Sequence, residues 1–243
     1  MDRAHFYSIM NGSGDFDYEI YLDTKRLLSC QKDFDKLCNA DELQFQIAHQ
    51  VEELWMKLIA YTLLDIDDYI CERKTNRVLT LFRRIRITLR LMSEQLRLLE
   101  TMSPKEYQEI RLQLGNGSGQ ESPGFRTLLQ MPKKLWQSFV ENYLDRDGLT
   151  IEQIYDSKYR HCDAYMIAEA LLDFDELFQE FRQDHIQLIY RSIGMDARSL
   201  KGRSVELLRR GAGTRFFPEL WNIRYRMTNA WGTEYGVCRD SIG

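Results

Sequence analysis

The segment from Leu43 to Leu64 constrains the fold most, because it carries apolar residues on two faces of one predicted helix. On the first face the apolar residues recur every three or four positions, namely Leu43, Ile47, Val51, Leu54, Leu58 and Tyr61. The second face lies beside it and consists of Phe45, Ala48, Met56, Ile59 and Leu63. A helix that is apolar on two faces is usually buried on both, so this segment predicts a central helix of the core.

Two histidines stand on apolar helix faces. His49 lies one turn after Phe45 and is the only ionisable residue on its face before Glu52. His185 belongs to a late aromatic stripe that also contains Phe174, Phe178, Phe181 and Leu188. Each histidine fits two interpretations, a core residue whose ring is satisfied by a backbone carbonyl or a residue that lines an apolar pocket. The helical pattern alone does not choose between them.

The rest of the chain also predicts helices. Residues 75–99 form a clear amphipathic pattern, and a second helix is predicted from Pro104 to Leu114 behind a Ser-Pro start. A long pattern continues from about Tyr159 to Ile193 without glycine or proline. Few segments alternate with period two, so we predict an all-α fold. Residues 1–17 are expected to be a mobile N-terminal arm and residues 18–243 a single helical domain.

Composition argues against several classes of protein. The net charge of −4 does not favour a whole-protein binder of nucleic acid or anionic membrane. The longest uncharged apolar stretch, residues 58–64, is far short of a membrane span. The 5 cysteines form no CxxC pair, which favours reduced thiols in the cytoplasm over a zinc site. One helix is rich in arginine, but no aromatic residues are interleaved, so we interpret these side chains as a solvated face: Arg77, Arg83, Arg84, Arg86, Arg90 and Arg97.

A possible ligand site follows the helix that begins at Pro104. Tyr107 and Arg111 are four positions apart, so both project from one side of that helix. The glycine-rich loop of residues 115–124 comes next, where backbone can approach a ligand closely. Arg111 fits either a surface salt bridge or a clamp for a carboxylate, which guanidinium binds in a two-pronged geometry. A histidine on an aromatic stripe in a helical bundle is one way in which proteins hold haem.

Five blocks of the sequence resemble the tryptophan 2,3-dioxygenase family. They occur in the family's order and spacing across residues 18–226 and read YEIYLDTKRLLSCQ, FQIAHQVEELWMKL, LETMSPKEYQEIRLQLGNGSGQES, DHIQLIYRSIG and RFFPELWNIR. The resemblance implies an all-helical bundle that encloses haem b and assembles as a homotetramer. It also implies insertion of both atoms of O2 across the indole C2–C3 bond of tryptophan, which gives N-formylkynurenine.

The resemblance assigns a role to each matching residue. His185 would be the axial ligand of the haem iron. His49 would be the distal histidine that accepts a hydrogen bond from the indole N–H, and Phe45 would pack against the indole ring. Arg111 would hold the substrate carboxylate, with Tyr107 beside it.

Further matching positions lie outside this group. Ser118 would be near the haem and the substrate ammonium. Tyr18, Tyr21 and Leu22 match residues that reach into the pocket of a neighbouring subunit, which implies a homo-oligomer.

One block differs from the family. Where the family usually has a GTGGSSG loop, residues 198–204 read RSLKGRS. Ser199 keeps a hydroxyl at the position of the family's threonine, whereas Leu200 and Lys201 replace glycines. We therefore expect altered substrate choice. Besides oxygenation of tryptophan or a close derivative, two alternatives stay open, namely mono-oxygenation of a substituted tryptophan or indole in secondary metabolism and a non-catalytic haem-binding sensor.

Overall fold

The computed structural model describes residues 1–115, 117, 119–156, 158–196 and 213–232. Within these ranges the regular structure is helical and contains no strand, which confirms the all-α prediction. The helices are α1 Arg3–Met10, α2 Asp17–Leu22, α3 Thr24–Leu27, α4 Glu42–Cys71, α5 Thr75–Leu99, α6 Pro104–Gln113, α7 Pro123–Leu128, α8 Pro132–Phe139, α9 Ile151–Tyr155, α10 Asp163–Ile193 and α11 Pro218–Trp231. None of the helices in this part of the chain is both long and apolar enough to cross a membrane.

Three long helices, α4, α5 and α10, form the centre of the core, and α5 packs against both of the others. The pattern of apolar residues on α5 predicts its buried face correctly, since each predicted position is buried: Val78, Phe82, Ile85, Leu89, Met92, Leu96 and Leu99. The same holds for the aromatic stripe of α10, where Phe174 and Phe178 are fully buried. This burial of apolar surface is the main force that holds the three helices together.

The prediction that α4 is buried on both faces is only half correct within one chain. The second face is buried as expected at Phe45, Ala48, Met56, Ile59 and Leu63. The first face is exposed at four positions, which are Ile47, Leu54, Leu58 and Tyr61. Periodicity identifies an apolar face, but it does not say whether the same chain covers that face.

Helix α7 packs directly onto α4 through Gly124. A Cβ atom at this position would lie 2.7 Å from Cβ of Met56 and 2.8 Å from Oε2 of Glu53. The backbone N–H of Gly124 donates a hydrogen bond of 3.0 Å to the same Glu53 oxygen. The absence of a side chain thus lets the end of the glycine-rich loop lie against α4.

A buried carboxylate holds the start of α11 on α10. Asp175 is fully buried, and its Oδ2 accepts hydrogen bonds from the backbone N–H of Phe216 at 2.9 Å and of Phe217 at 3.1 Å. The indole N–H of Trp221 donates a third hydrogen bond of 2.9 Å to the same oxygen. One side chain of α10 therefore fixes the segment that leads into α11.

Part of the N-terminal segment of residues 1–17 is helical. Helix α1 occupies residues 3–10, and the ring of Tyr7 stacks on Phe34 with 3.9 Å between centroids. The sequence pattern predicts no helix here, because none of the residues of α1 is buried and no apolar face marks its period. The mobility of residues 1–17 stays a prediction, as does the single domain of residues 18–243.

Candidate active site

The side chains of Phe45 and His49 project together from α4. Their ring centroids lie 4.0 Å apart, and Nδ1 of His49 lies 2.7 Å from the carbonyl oxygen of Phe45. Since a carbonyl only accepts, Nδ1 must carry the hydrogen, which leaves Nε2 of a neutral ring as the acceptor. Burial lowers the pKa of His49, so the neutral form is favoured. His49 is thus both satisfied by a backbone carbonyl and able to accept a hydrogen bond from a ligand.

His185 lies on α10 and comes close to two other parts of the site. A Cβ atom on Gly119, in the glycine-rich loop, would lie 3.6 Å from Cε1 of His185. Burial, with a smaller contribution from the nearby His49, lowers the pKa of His185 to about 4. Within the described ranges, neither ring nitrogen of His185 takes part in a hydrogen bond. The fold therefore brings the two predicted histidines together from α4 and α10, and it leaves the imidazole of His185 neutral.

Helix α6 adds the third side of the site. The ring of Tyr107 lies 6.3 Å from that of Phe45. The pKa of the Tyr107 hydroxyl is raised by burial, and the charge of Arg111 opposes this only in part. Nη1 of Arg111 donates a hydrogen bond of 3.2 Å to the side chain of Gln108. Helix α6 ends before Gly115, whose φ of +56° belongs to the left-handed region that favours glycine. Tyr107 and Arg111 therefore share one side of α6, as their spacing predicts, and Tyr107 lies next to Phe45.

The remaining predicted site residues are not brought into this group. Ser118 and Ser199 lie outside the described residues. Tyr18, Tyr21 and Leu22 are exposed on α2, and their side chains make no hydrogen bond or ring contact within the part of the chain that the structure describes. Their predicted place in a neighbouring subunit's pocket stays a prediction.

Two acidic residues of α4, to which the sequence pattern gives no role, also belong to this region. Glu53 accepts the hydrogen bond from Gly124 and so connects α4 to the end of the glycine-rich loop. Glu52 is buried on the face that carries His49, and its Oε1 has no hydrogen-bond partner among the described residues. The only signal in the sequence was the three-residue step from His49 to Glu52, which places both on one helix face.

Comparison with known proteins identifies the family. A sequence profile described as "Tryptophan 2,3-dioxygenase" matches residues 6–134. The tryptophan 2,3-dioxygenase of Myxococcus xanthus is 30% identical, over 89% of this chain and 91% of that protein. The chain belongs to the tryptophan 2,3-dioxygenase family. Two other members are each 29% identical to it, the tryptophan 2,3-dioxygenases of Serratia proteamaculans, over 85% of this chain, and of Rhodococcus jostii, over 85% as well.

Membership of the tryptophan 2,3-dioxygenase family confirms the resemblance drawn from the five sequence blocks. It also agrees with the all-α fold and places the chain in a family of oxidoreductases. The roles of individual residues stay predictions, and the geometry of α4, α6 and α10 gives the physical basis on which they are argued below.

Proposed function

We propose that this chain is a haem-dependent oxygenase that inserts oxygen from O2 into the indole ring of L-tryptophan or a tryptophan derivative. The observation that carries the proposal is the pair His49 and His185, which face one region from two helices with different hydrogen-bonding states. His49 has its tautomer fixed by the carbonyl of Phe45, whereas His185 has no such partner in the described chain. One ring is suited to accept a hydrogen bond and the other to bind a metal.

The residues around His185 fit a haem group. Iron binds the neutral form of imidazole, which burial favours at His185 by lowering its pKa to about 4. Gly119 has no side chain, and a Cβ atom there would lie 3.6 Å from Cε1 of His185, so at this residue the loop meets the ring with backbone alone. When bound, haem supplies the activation of O2, a reaction that protein side chains do not perform.

The other side chains would bind and orient the substrate. Nε2 of His49 would accept the hydrogen bond from the indole N–H, and the ring of Phe45 would pack against the indole. Arg111 would pair with the substrate carboxylate, with the partly buried Tyr107 beside it. Holding the indole between two helices excludes water and fixes which edge of the ring meets the oxygen.

The reaction is tested with ferrous, haem-loaded protein and isotopically labelled O2. Mass spectrometry then counts the labelled atoms in the product, and two labelled atoms in N-formylkynurenine support the dioxygenase. The replacement of glycines by Leu200 and Lys201 favours a second candidate, a mono-oxygenase of a substituted tryptophan or indole, which gives one labelled atom. No labelled product from any of these substrates would contradict both and support a haem-binding sensor.

Replacing Arg111 with leucine should weaken binding of a substrate that has a free carboxylate. Loss of a charge-assisted pair in a closed site costs about 2–4 kcal/mol, which corresponds to roughly 30- to 1,000-fold in affinity. Titrations with L-tryptophan and with its decarboxylated analogue tryptamine measure the effect, since tryptamine should bind both proteins equally. An unchanged dissociation constant for L-tryptophan in Arg111→Leu would contradict the role of Arg111.

We also propose that the protein is a homo-oligomer, with a tetramer expected from the resemblance. The exposed apolar face of α4 and the exposed Tyr18 and Tyr21 support contact with a second copy, because large apolar patches on monomers are uncommon. Leu58→Glu should therefore lower the mass measured by light scattering, whereas Lys57→Glu, an exposed neighbour, should leave it unchanged. A wild-type protein that is monomeric and fully active would contradict this proposal.

The cellular location remains a proposal. The described cysteines Cys30, Cys38, Cys71 and Cys162 are free thiols, which supports a reducing compartment such as the cytoplasm. The proposed partners are a tryptophan-type or indole substrate, O2 and further copies of the chain.

A further inference from the structure

Glu52 is a buried carboxyl group to which neither the fold nor the proposed reaction gives a role. Its side chain is 8% exposed, and its buried Oε1 atom has no hydrogen-bond partner in the described residues. Asp67 and Glu106 each have one such oxygen too, but both of those residues are partly exposed. Natural proteins seldom leave a buried polar atom unpaired, so such an atom calls for a specific explanation.

No cation near Glu52 explains its burial. Burial and the charge of Glu53 together raise its pKa from 4.5 to about 7, and no positive charge acts against them. Glu53 differs, because its Oε2 accepts a hydrogen bond from Gly124. Glu53 therefore holds the loop against α4, whereas Glu52 has an acceptor oxygen that no described group uses.

The position of Glu52 on α4 indicates what that acceptor faces. Phe45, His49 and Glu52 follow one another at helical spacing on the same face. Because an α-helix rises 1.5 Å per residue, Glu52 lies roughly 4.5 Å beyond His49 along the axis, on the side away from Phe45. The ring of Tyr107 lies 6.3 Å from that of Phe45, at the opposite end of this stripe, and Arg111 follows Tyr107 one turn later on the same side of α6. Glu52 is thus at the end of the stripe away from Tyr107, the residue that would stand beside Arg111 in the proposed carboxylate clamp.

A ligand held by its carboxylate at Arg111 and by its indole N–H at His49 would direct the far edge of its ring towards Glu52. That edge is the benzene ring of an indole. A carboxyl group keeps an acceptor oxygen whether or not it carries its proton, so a donor such as a hydroxyl or an amino group would satisfy it. An unsubstituted ring would instead leave the buried oxygen unpaired and would be disfavoured.

We propose that Glu52 determines substrate specificity by accepting a hydrogen bond from a hydroxyl or amino substituent on the benzene ring of a tryptophan-type substrate. This proposal rests on the proposed function. Sites that bind a substrate hydroxyl through buried polar groups reject the analogue without it far more strongly than apolar pockets reject an added group. The natural substrate is therefore a ring-substituted tryptophan with a donor group.

The test measures ligand binding by haem spectroscopy in the full-length, haem-loaded protein. The probes are L-tryptophan, the four L-tryptophans hydroxylated on the benzene ring and the corresponding methyl compounds. At one ring position the wild type should prefer hydroxyl over methyl by about 30-fold or more, a preference that Glu52→Leu should abolish or reverse. Glu52→Gln, which keeps an acceptor oxygen, should retain part of it, and Asp65→Asn, an exposed residue of the same helix, should retain all of it.

A wild type that binds indoles with the same hydroxyl-to-methyl ratio as Glu52→Leu would overturn this proposal and leave the proposed function intact. Failure of the wild type to bind any indole would overturn both.

Stability of the ligand-free protein provides a second measurement if Glu52→Leu does not fold. In the folded chain Glu52 loses its proton near pH 7 rather than near 4.5, so ionisation opposes folding as the pH rises between these values. The folding equilibrium constant of the wild type relative to Glu52→Gln should therefore fall about 100-fold between pH 5 and pH 8.5. Urea denaturation measures it, and a pH-independent ratio would show that Glu52 is already paired and would overturn the proposal.

Discussion

Replacing His185 with alanine should remove nearly all haem from the purified protein, whereas replacing His49 with alanine should leave most of it bound. The first variant lacks the imidazole that would hold the haem iron, whereas the second lacks only the acceptor that would bind the indole N–H. Soret absorbance and haem content per chain measure the difference. His161→Ala is the matched control, because this exposed ring stacks on Tyr165 with 4.3 Å between centroids and lies outside the site.

A direct bond to iron is separated from a structural effect by chemical rescue. In His185→Gly, added imidazole should occupy the space of the missing ring and restore haem binding together with its spectrum. A glycine within a helix costs about 1 kcal/mol relative to alanine, so the variant should still fold. Equal haem content in His185→Ala and the wild type, with unchanged spectra, would show that another residue holds the iron.

The sequence predicts the long helices well because their apolar pattern is strong. The predicted bounds of α5 agree with those in the structure, and α10 begins at Asp163 rather than near Tyr159. The predicted start of α10 is one turn too early, because residues 159–162 contain no apolar residue that packs in the core. Helix α1 was missed for a related reason, since none of its residues is buried and no buried face marks its period.

The candidate site was predictable only in parts. Periodicity places His49 and His185 each on a helix face, but it does not show that the two faces meet, and the resemblance to the family supplied that pairing. Acidic residues whose partners are backbone N–H groups gave no signal at all. Glu53 binds Gly124, and Asp175 binds Phe216 and Phe217, and any residue other than proline offers the same backbone donor.

We expect Asp175 to contribute strongly to the stability of the fold, although the sequence pattern gives no sign of it. Its Oδ2 accepts three hydrogen bonds, and its Oδ1 accepts a fourth, of 3.2 Å, from Gln179. A buried carboxylate is costly in water-free surroundings unless such donors satisfy it. The backbone N–H groups of Phe216 and Phe217 and the indole N–H of Trp221 have no other acceptor among the described residues, whereas the Gln179 side chain also donates to the carbonyl oxygen of Thr214 at 2.7 Å.

Replacing Asp175 with leucine should therefore lower the free energy of unfolding by about 3–5 kcal/mol, because three donors would lose their acceptor in a buried place. Urea denaturation followed by circular dichroism measures the change. Asp173→Leu is the matched control from the preceding half-turn of α10, where an exposed ion pair with Arg86 at 2.7 Å contributes at most about 1 kcal/mol.

The effect of Asp175→Leu should be concentrated where the hydrogen bonds are lost. The segment that enters α11 contains Phe216, Phe217 and Trp221, so their amide and indole protons should exchange faster with solvent. The amide protons of α5 should exchange at nearly the wild-type rate, once the change in global unfolding is taken into account. Equal losses of stability in the Asp175 and Asp173 variants would show that the segment is held by apolar packing of Phe217 and Leu220 instead.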